Sequence, residues 1–363
     1  LNHVRYNVDL FLLAGEPSGD LQGAALIQEL LALQPDLQIA AVAGPRMRKF
    51  PIHCIEPMEN LAVMGFIDVF KALPKIASLF FSLRKKILGM QPKAFVGIDY
   101  PGFNLRMHQT LRKSRFSGRQ IHYICPTVWA WGKRRIPKMA KTLDLLLTIL
   151  PFEPECFKET SLQVKYVGHP LVEPISNFRP DPTFRKRFGF QTKDKILALF
   201  PGSRKVEIER NLPLMLKTAH AIKDVDLCLV LSQNLPPEDQ YDLMHNAHLA
   251  IAKSGTVVLE LALHKTPTVV QYAIKPLDVF LATKIFQIKL PYYSIANLIV
   301  QKEVFPELFG PNLSEKALLQ SATELWFQEE KRRAAISGCS ELWDVLGTCP
   351  ASRRAAESIL EMI

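Results

Sequence analysis

The sequence lacks most of the signatures that would place it at a glance. Six cysteines occur in 363 residues and none forms a CxxC pair. Their spacing fits neither a disulfide scaffold nor a structural zinc site, so a reducing compartment is expected. The nine histidines show no HExxH spacing, and no metal role is assigned. No zinc-finger spacing, RNP-like strand or helix-turn-helix pattern appears, which argues against a nucleic-acid partner. No GxGxxG follows a strand, which removes most support for a nicotinamide cofactor. The N-terminus carries no signal-peptide pattern and no apolar run reaches transmembrane length, so any membrane contact is expected to be peripheral. Glycine and proline are scattered, without a low-complexity tract or short repeat.

What is present is a globular chain with ample core material. Hydrophobic residues make up 48% and charged residues 22%, which excludes a disordered chain, and the length suits two or three domains. The formal charge of +10 calls for an anionic partner: a phosphorylated metabolite, an acidic lipid surface or nucleic acid. Cys125 and Cys228 lie in apolar runs and read as buried small hydrophobes.

Short apolar runs alternate with helical patterns. Strands are predicted at Val8–Ala14, Ile39–Ala43, Ala94–Ile98, Ile121–Cys125, Leu143–Leu150 and Val164–Val167, with a helix over Leu21–Leu33. The strands show little polar alternation, which predicts parallel sheets covered on both faces. Pro170–Pro182 reads as a linker, and the pattern then restarts. Further strands are predicted at Lys195–Phe200, Leu227–Leu231, His248–Ala252 and Pro267–Tyr272, and helices at Asn211–Ile222, from Thr256 to about Leu263, Glu315–Lys331 and about Ser352–Met362. The fold class is therefore α/β, with two Rossmann-like domains facing a central cleft. The domains are expected at 1–172 and 183–345, with a C-terminal helix over 346–363 that packs back on the first domain or on a partner subunit. Between Leu231 and His248 there is too little chain for the helix, strand and helix such a domain would place there, so an omitted segment is expected between about 232 and 247.

Several loops carry chemistry. Gly15–Asp20 joins a strand to a helix, where free N–H groups attract anions, although Asp20 also suits a plain N-cap. Asp99 ends a strand, as a general base at the cleft or as a loop carboxylate. Arg204, in Pro201–Arg204, offers a donor fork for phosphate oxygens, and Ser254-Gly255-Thr256 opens a helix that suits a diphosphate. Glu260, one turn on, is placed to accept from sugar hydroxyls or to balance surface charge. Lys133, Arg134, Arg135, Lys138 and Lys141 form a basic run, either a solvated face or an attractor for phosphate or lipid headgroups. Asp224-Val225-Asp226 is a formal DxD that abuts a strand, and it is given no metal role. Phe66, Phe70, Leu73, Ile76, Phe80, Leu83 and Ile87 recur at helical spacing near Lys71, Lys75 and Arg84–Lys86, as an ordinary core stripe or as a lipid-facing patch.

In order along the chain, GEPSGD (15–20), GIDYPGFN (97–104), HYICPTVWAW (122–131), LPFEPECF (150–157), VGHPL (167–171), PGSR (201–204), SGTVVLE (254–260) and LPYYSIANL (290–298) resemble the lipid-A-disaccharide synthase family. The resemblance implies a GT-B type glycosyltransferase that inverts at the donor carbon. It implies UDP-2,3-diacylglucosamine as donor, 2,3-diacylglucosamine 1-phosphate as acceptor, and a β-1,6-linked disaccharide phosphate plus UDP as products. It implies work at the cytoplasmic face of an inner membrane, an anionic membrane surface as partner, no essential metal or other cofactor, and a homodimer with exchanged C-terminal segments. It makes Asp99 the base, with Glu16, Ser18 and Asp20 on the N-terminal wall and Arg204, Ser254, Gly255, Thr256, Glu260 and Asn297 on the UDP side. It also favours the lipid-facing reading of 61–88. The family pattern often carries a second carboxylate where this sequence has Gly102, and an alanine where it has Pro17. A UDP-sugar epimerase and a non-catalytic nucleotide-sensing protein remain the alternatives.

Overall fold

The computed structural model describes residues 8–61, 66–273 and 290–363. The chain divides into two compact units, Leu1–Pro170 with Cys349–Ile363, and Leu171–Thr348.

The first unit is built on β1 (Leu10–Ala14), β2 (Ile39–Ala43), β3 (His53–Pro57), β4 (Ala94–Ile98), β5 (Arg119–Tyr123), β6 (Leu145–Thr148) and β7 (Gln163–Tyr166). They form one sheet in the order β3-β2-β1-β4-β5-β6-β7, parallel at every pairing. Every residue of β1, β2 and β4 is buried, so these strands read as unbroken apolar runs. β3 is an edge strand, half polar and partly exposed, and it left no such run to read.

One face of this sheet packs on the helix Pro17–Leu33 and on the C-terminal helix Ala351–Leu360. Leu26, Ile27 and Leu30 of the first share a core with Ala355, Ala356 and Ile359 of the second, and Arg353 reaches Glu29 at 3.4 Å. The other face packs on Phe66–Met90 and Pro101–Lys113. In Phe66–Met90, Leu83 and Ile87 are fully buried, and Ile76, Leu79 and Phe80 pack against the same core. The rear of the predicted stripe is therefore core, while Phe81 beside it is 61% exposed. The side chains of Phe66, Phe70, Lys71 and Leu73 lie outside the described residues.

The second unit carries β8 (Lys195–Phe200), β9 (Leu227–Leu231), β10 (Ala247–Lys253), β11 (Thr268–Tyr272) and β12 (Glu307–Phe309), in the order β12-β11-β10-β8-β9 and again parallel. Residues 232–246 make the crossover from β9 past β8 to β10 with two 3-10 turns and the helix Gln240–Asn246. The short connection read from the sequence is thus accommodated in a sheet that places β9 at its edge. That position also leaves Cys228 only half-buried, contrary to expectation, whereas Cys125 is buried as expected.

Helix boundaries moved where proline sits. The first helix begins at Pro17 rather than Leu21, because proline at N1 needs no intrahelical donor. Lys205–Ala221 begins six residues before the predicted Asn211 and runs through Pro213. Near that proline, Asn211 Nδ2 donates to the Glu207 carbonyl at 2.8 Å and Gln271 Nε2 donates to the Asn211 carbonyl at 3.1 Å. The predicted helix Glu315–Lys331 is two helices, Glu315–Phe327 and Glu329–Leu346. The expected linker contains the short helix Val172–Ser176.

Candidate functional site

In each sheet the strand order reverses once, between β1 and β4 and between β8 and β10. Connections leave in opposite directions at such a point and open a crevice at the carboxyl ends of the strands. The predicted loops follow those four strands.

In the first unit, β1 leads into Gly15-Glu16 and β4 into Asp99-Tyr100. Asp99 and Tyr100 both hold φ 47°, in the left-handed region. Two non-glycine residues there cost about 1–2 kcal/mol each. The buried Asn104 side chain holds the turn by donating to the carbonyls of Leu13 (3.3 Å), Ile98 (3.2 Å) and Asp99 (2.8 Å), so it ties both strand ends together. The turn lays the Tyr100 ring over Gly15, where a Cβ would stand 2.1 Å from a ring carbon. Glycine is therefore required at 15, and Glu16 is brought against Asp99. Burial first, and the charge of Glu16 second, push the Asp99 carboxyl up to about 6. A carboxylate tuned towards neutrality is suited to take a proton from a hydroxyl.

In the second unit, the loops after β8 and β10 enclose a cavity of about 480 Å³ lined by Gly202, Ser203, Arg204, Lys253, Gly255 and Thr256, among others. Glu207 and Lys253 also line it, and the sequence reading passed over both. Glu207 accepts from Lys253 Nζ at 3.2 Å and from the backbone N–H groups of Ser203 (3.3 Å) and Arg204 (3.4 Å). Burial disfavours this charge, but the Lys253 and backbone bonds outweigh it and hold the carboxyl below its ordinary value. The carboxylate thus occupies N–H groups of the kind that bind anions at helix starts. Gly202, at φ +123°, leaves room for it, since a Cβ there would meet Glu207 at 2.6 Å. Reading the helix from Lys205 would have revealed Glu207 as its first-turn acid. Lys253 directly precedes the SGT motif.

The remaining predicted residues divide. Thr256 and Gly255 are exposed at the cavity, and Ser254 lies beside them without lining it. Glu260 is half-buried, four residues from Thr256 and so on the same helix face; burial raises its carboxyl above the ordinary value. Ser18 is exposed at the start of the first helix. Asp20 and Asn297 also hold local structure. Asp20 is 2% exposed, and its two oxygens accept from the N–H groups of Arg46 (2.9 Å) and Met47 (3.0 Å), which anchors the turn after β2. Asn297 is fully buried; its amide donates to the Phe305 carbonyl (2.8 Å) and to Glu307 (2.7 Å), and its oxygen accepts from Val304 (2.9 Å) and Phe305 (3.0 Å). That uses the full hydrogen-bonding capacity of the Asn297 side chain. Asp224 of the formal DxD is likewise engaged, by Lys195 and by Trp326 Nε1, each at 2.9 Å.

A family model described as lipid-A-disaccharide synthetase matches residues 10–229 and 226–362. The chain belongs to the lipid-A-disaccharide synthase family. The match divides beside the short β9–β10 connection. A family member from Chlamydia trachomatis serovar D, named lipid-A-disaccharide synthase, is 39% identical over 323 residues, covering 83% of this chain and 53% of that protein. One of the same name from Rhodospirillum centenum is 34% identical over 380 residues, covering 98% of this chain and 94% of that one. The chain spans about half the length of the chlamydial relatives it matches. Among solved structures, a UDP-GlcNAc 2-epimerase from Neisseria meningitidis aligns with a TM-score of 0.61 at 12% identity, covering 97% of this chain and 99% of that one. The glycotransferase of kitacinnamycin aligns at 0.62 and 14%, covering 99% and 100%. Such likeness defines the fold: two Rossmann-like units of the GT-B type.

Proposed function

We propose that this family member is an inverting UDP-sugar glycosyltransferase that joins 2,3-diacylglucosamine from its UDP derivative to 2,3-diacylglucosamine 1-phosphate. The observation that carries the reading is the Asp99–Glu16 carboxyl pair at the β1/β4 crevice. The acceptor 6-hydroxyl attacks the anomeric carbon of the donor and gives its proton to Asp99. The new C–O bond forms as the bond to the diphosphate breaks, and the electron pair leaves with UDP. Arg204, Lys253 and the N–H groups around Gly255 are suited to the charge growing on that diphosphate. Ser254, Thr256 and Glu260 would contact the nucleotide, and Glu16 and Ser18 would border the acceptor.

Among the described residues no helix is long and apolar enough to cross a membrane. The proposed placement is peripheral, on the cytoplasmic face of an inner membrane, where the acylated substrates reside. A homodimer that exchanges C-terminal segments would seat Ala351–Leu360 on the partner's first helix through the contacts it makes within its own chain here.

Mass spectrometry of products from the two acylated substrates tests the reading. A disaccharide phosphate with equimolar UDP is the expected result. Turnover of unacylated UDP-N-acetylglucosamine without disaccharide formation would replace it with an epimerase or hydrolase.

A further inference from the structure

Two cavities of the first unit meet at Gly102 and Arg106. One, of about 390 Å³, is apolar and lined by Phe81, Tyr100 and Phe103 among others. The second, of about 250 Å³, is lined by Arg106, Arg135 and Lys138, with no acidic residue among its lining. Gly102 and Arg106 line both. Nothing lies within 4 Å of where a Cβ at Gly102 would stand, so the junction between them is open. Tyr100, next to Asp99 in the chain, forms a wall of the apolar cavity.

An apolar cavity fused to a cationic one selects a ligand with an acyl chain at one end and an anion at the other. Arginine forks match phosphate oxygens, and a lining with three cationic side chains suits an anionic group. We propose that these cavities are the acceptor subsite: Arg106, Arg135 and Lys138 hold the phosphate of the acylated sugar phosphate, and an acyl chain lies along Phe81 and Phe103. This rests on the transferase reading above. It gives the basic run after Trp131 a specific task and adds Arg106, which no sequence motif marked.

The test compares Arg106→Ala, Arg106→Lys and Gly102→Leu in the full chain. Equilibrium binding is measured for 2,3-diacylglucosamine 1-phosphate and for the same sugar without phosphate, beside steady-state KM for donor and acceptor. R106A is expected to weaken the phosphorylated ligand about tenfold or more, the loss of a charge-assisted bond, and to leave the dephosphorylated ligand and the donor KM unchanged. R106K should recover part of the loss. G102L should weaken both forms by filling the junction. Equal losses for both forms in R106A, or a shift in donor KM instead, overturn the proposal. So does weaker binding of R106A to phosphatidylglycerol vesicles with unchanged sugar-phosphate affinity, which would make this a headgroup site. Phosphate-dependent binding without any transfer would sink the transferase reading and leave the subsite standing; intact transfer with no phosphate dependence in R106A would do the reverse.

Discussion

Glu16→Gln tests the carboxyl pair directly. Asp99 is raised from 3.8 to about 6, with burial as the larger cause and Glu16 as the second. The substitution removes the like charge and leaves the burial, so it should lower the Asp99 carboxyl part of the way back towards its ordinary value. A glutamine amide that donates to Asp99 would act in the same direction, since it favours the ionised form. A base must be ionised to work, so in the parent kcat/KM should fall as pH drops through about 6. In E16Q that acidic limb should move to lower pH, and activity at about pH 5 should rise relative to the parent. The assay is kcat/KM for the acceptor across about pH 5–8, with circular dichroism at each pH to exclude unfolding. An acidic limb that stays in place, or moves up, would show that Glu16 does not set the Asp99 proton affinity. Loss of activity at every pH would assign the proton transfer to Glu16 and refute Asp99 as base.

Asp99→Asn should lower kcat by about 10²–10⁴-fold with UDP affinity unchanged in titration, because the cavity that suits UDP belongs to the other unit. The same variant should unfold at a higher temperature than the parent at neutral pH. A carboxyl raised by folding binds its proton more tightly when folded, so stability falls as pH rises from about 4 to about 6, and the amide escapes that cost. A lower Tm for D99N would contradict this. Arg204→Ala should reduce kcat/KM by about 2–4 kcal/mol of transition-state stabilisation, and near-normal turnover would remove Arg204 from the mechanism. On Phe66–Met90, Phe81→Ser should weaken binding to anionic vesicles without loss of stability, whereas Leu83→Ala should cost about 2–5 kcal/mol in denaturant unfolding. If Phe81→Ser leaves vesicle binding unchanged, the exposed edge of this helix is not a membrane contact.

Strand identity and the parallel sheets were readable from sequence because β1, β2, β4 and β8 are buried almost throughout and must be apolar at nearly every position. The loops of the candidate site were readable for a related reason. Gly15 and Gly202 stand where a ring or a carboxylate side chain comes too close for a Cβ, and such glycines mark strand-to-helix turns. Sequence also marked Asp99 and Arg204 as candidates by residue type and by position after an apolar run, and the family resemblance added Glu16. What a polar side chain touches is not a local property, and only the tertiary structure decided it. Asp20 and Asn297 stand in the predicted site motifs, and the structure adds partners for them on Arg46, Met47 and the Val304–Glu307 segment. Glu207, Lys253 and Arg106 carry no motif, and they enter the sites because β8 lies beside β10 and because the helix bearing Arg106 borders the basic run. The meeting of Asp99 with Glu16 depends on the reversal of strand order between β1 and β4, since residues 83 positions apart come together only when the sheet places their strand ends side by side.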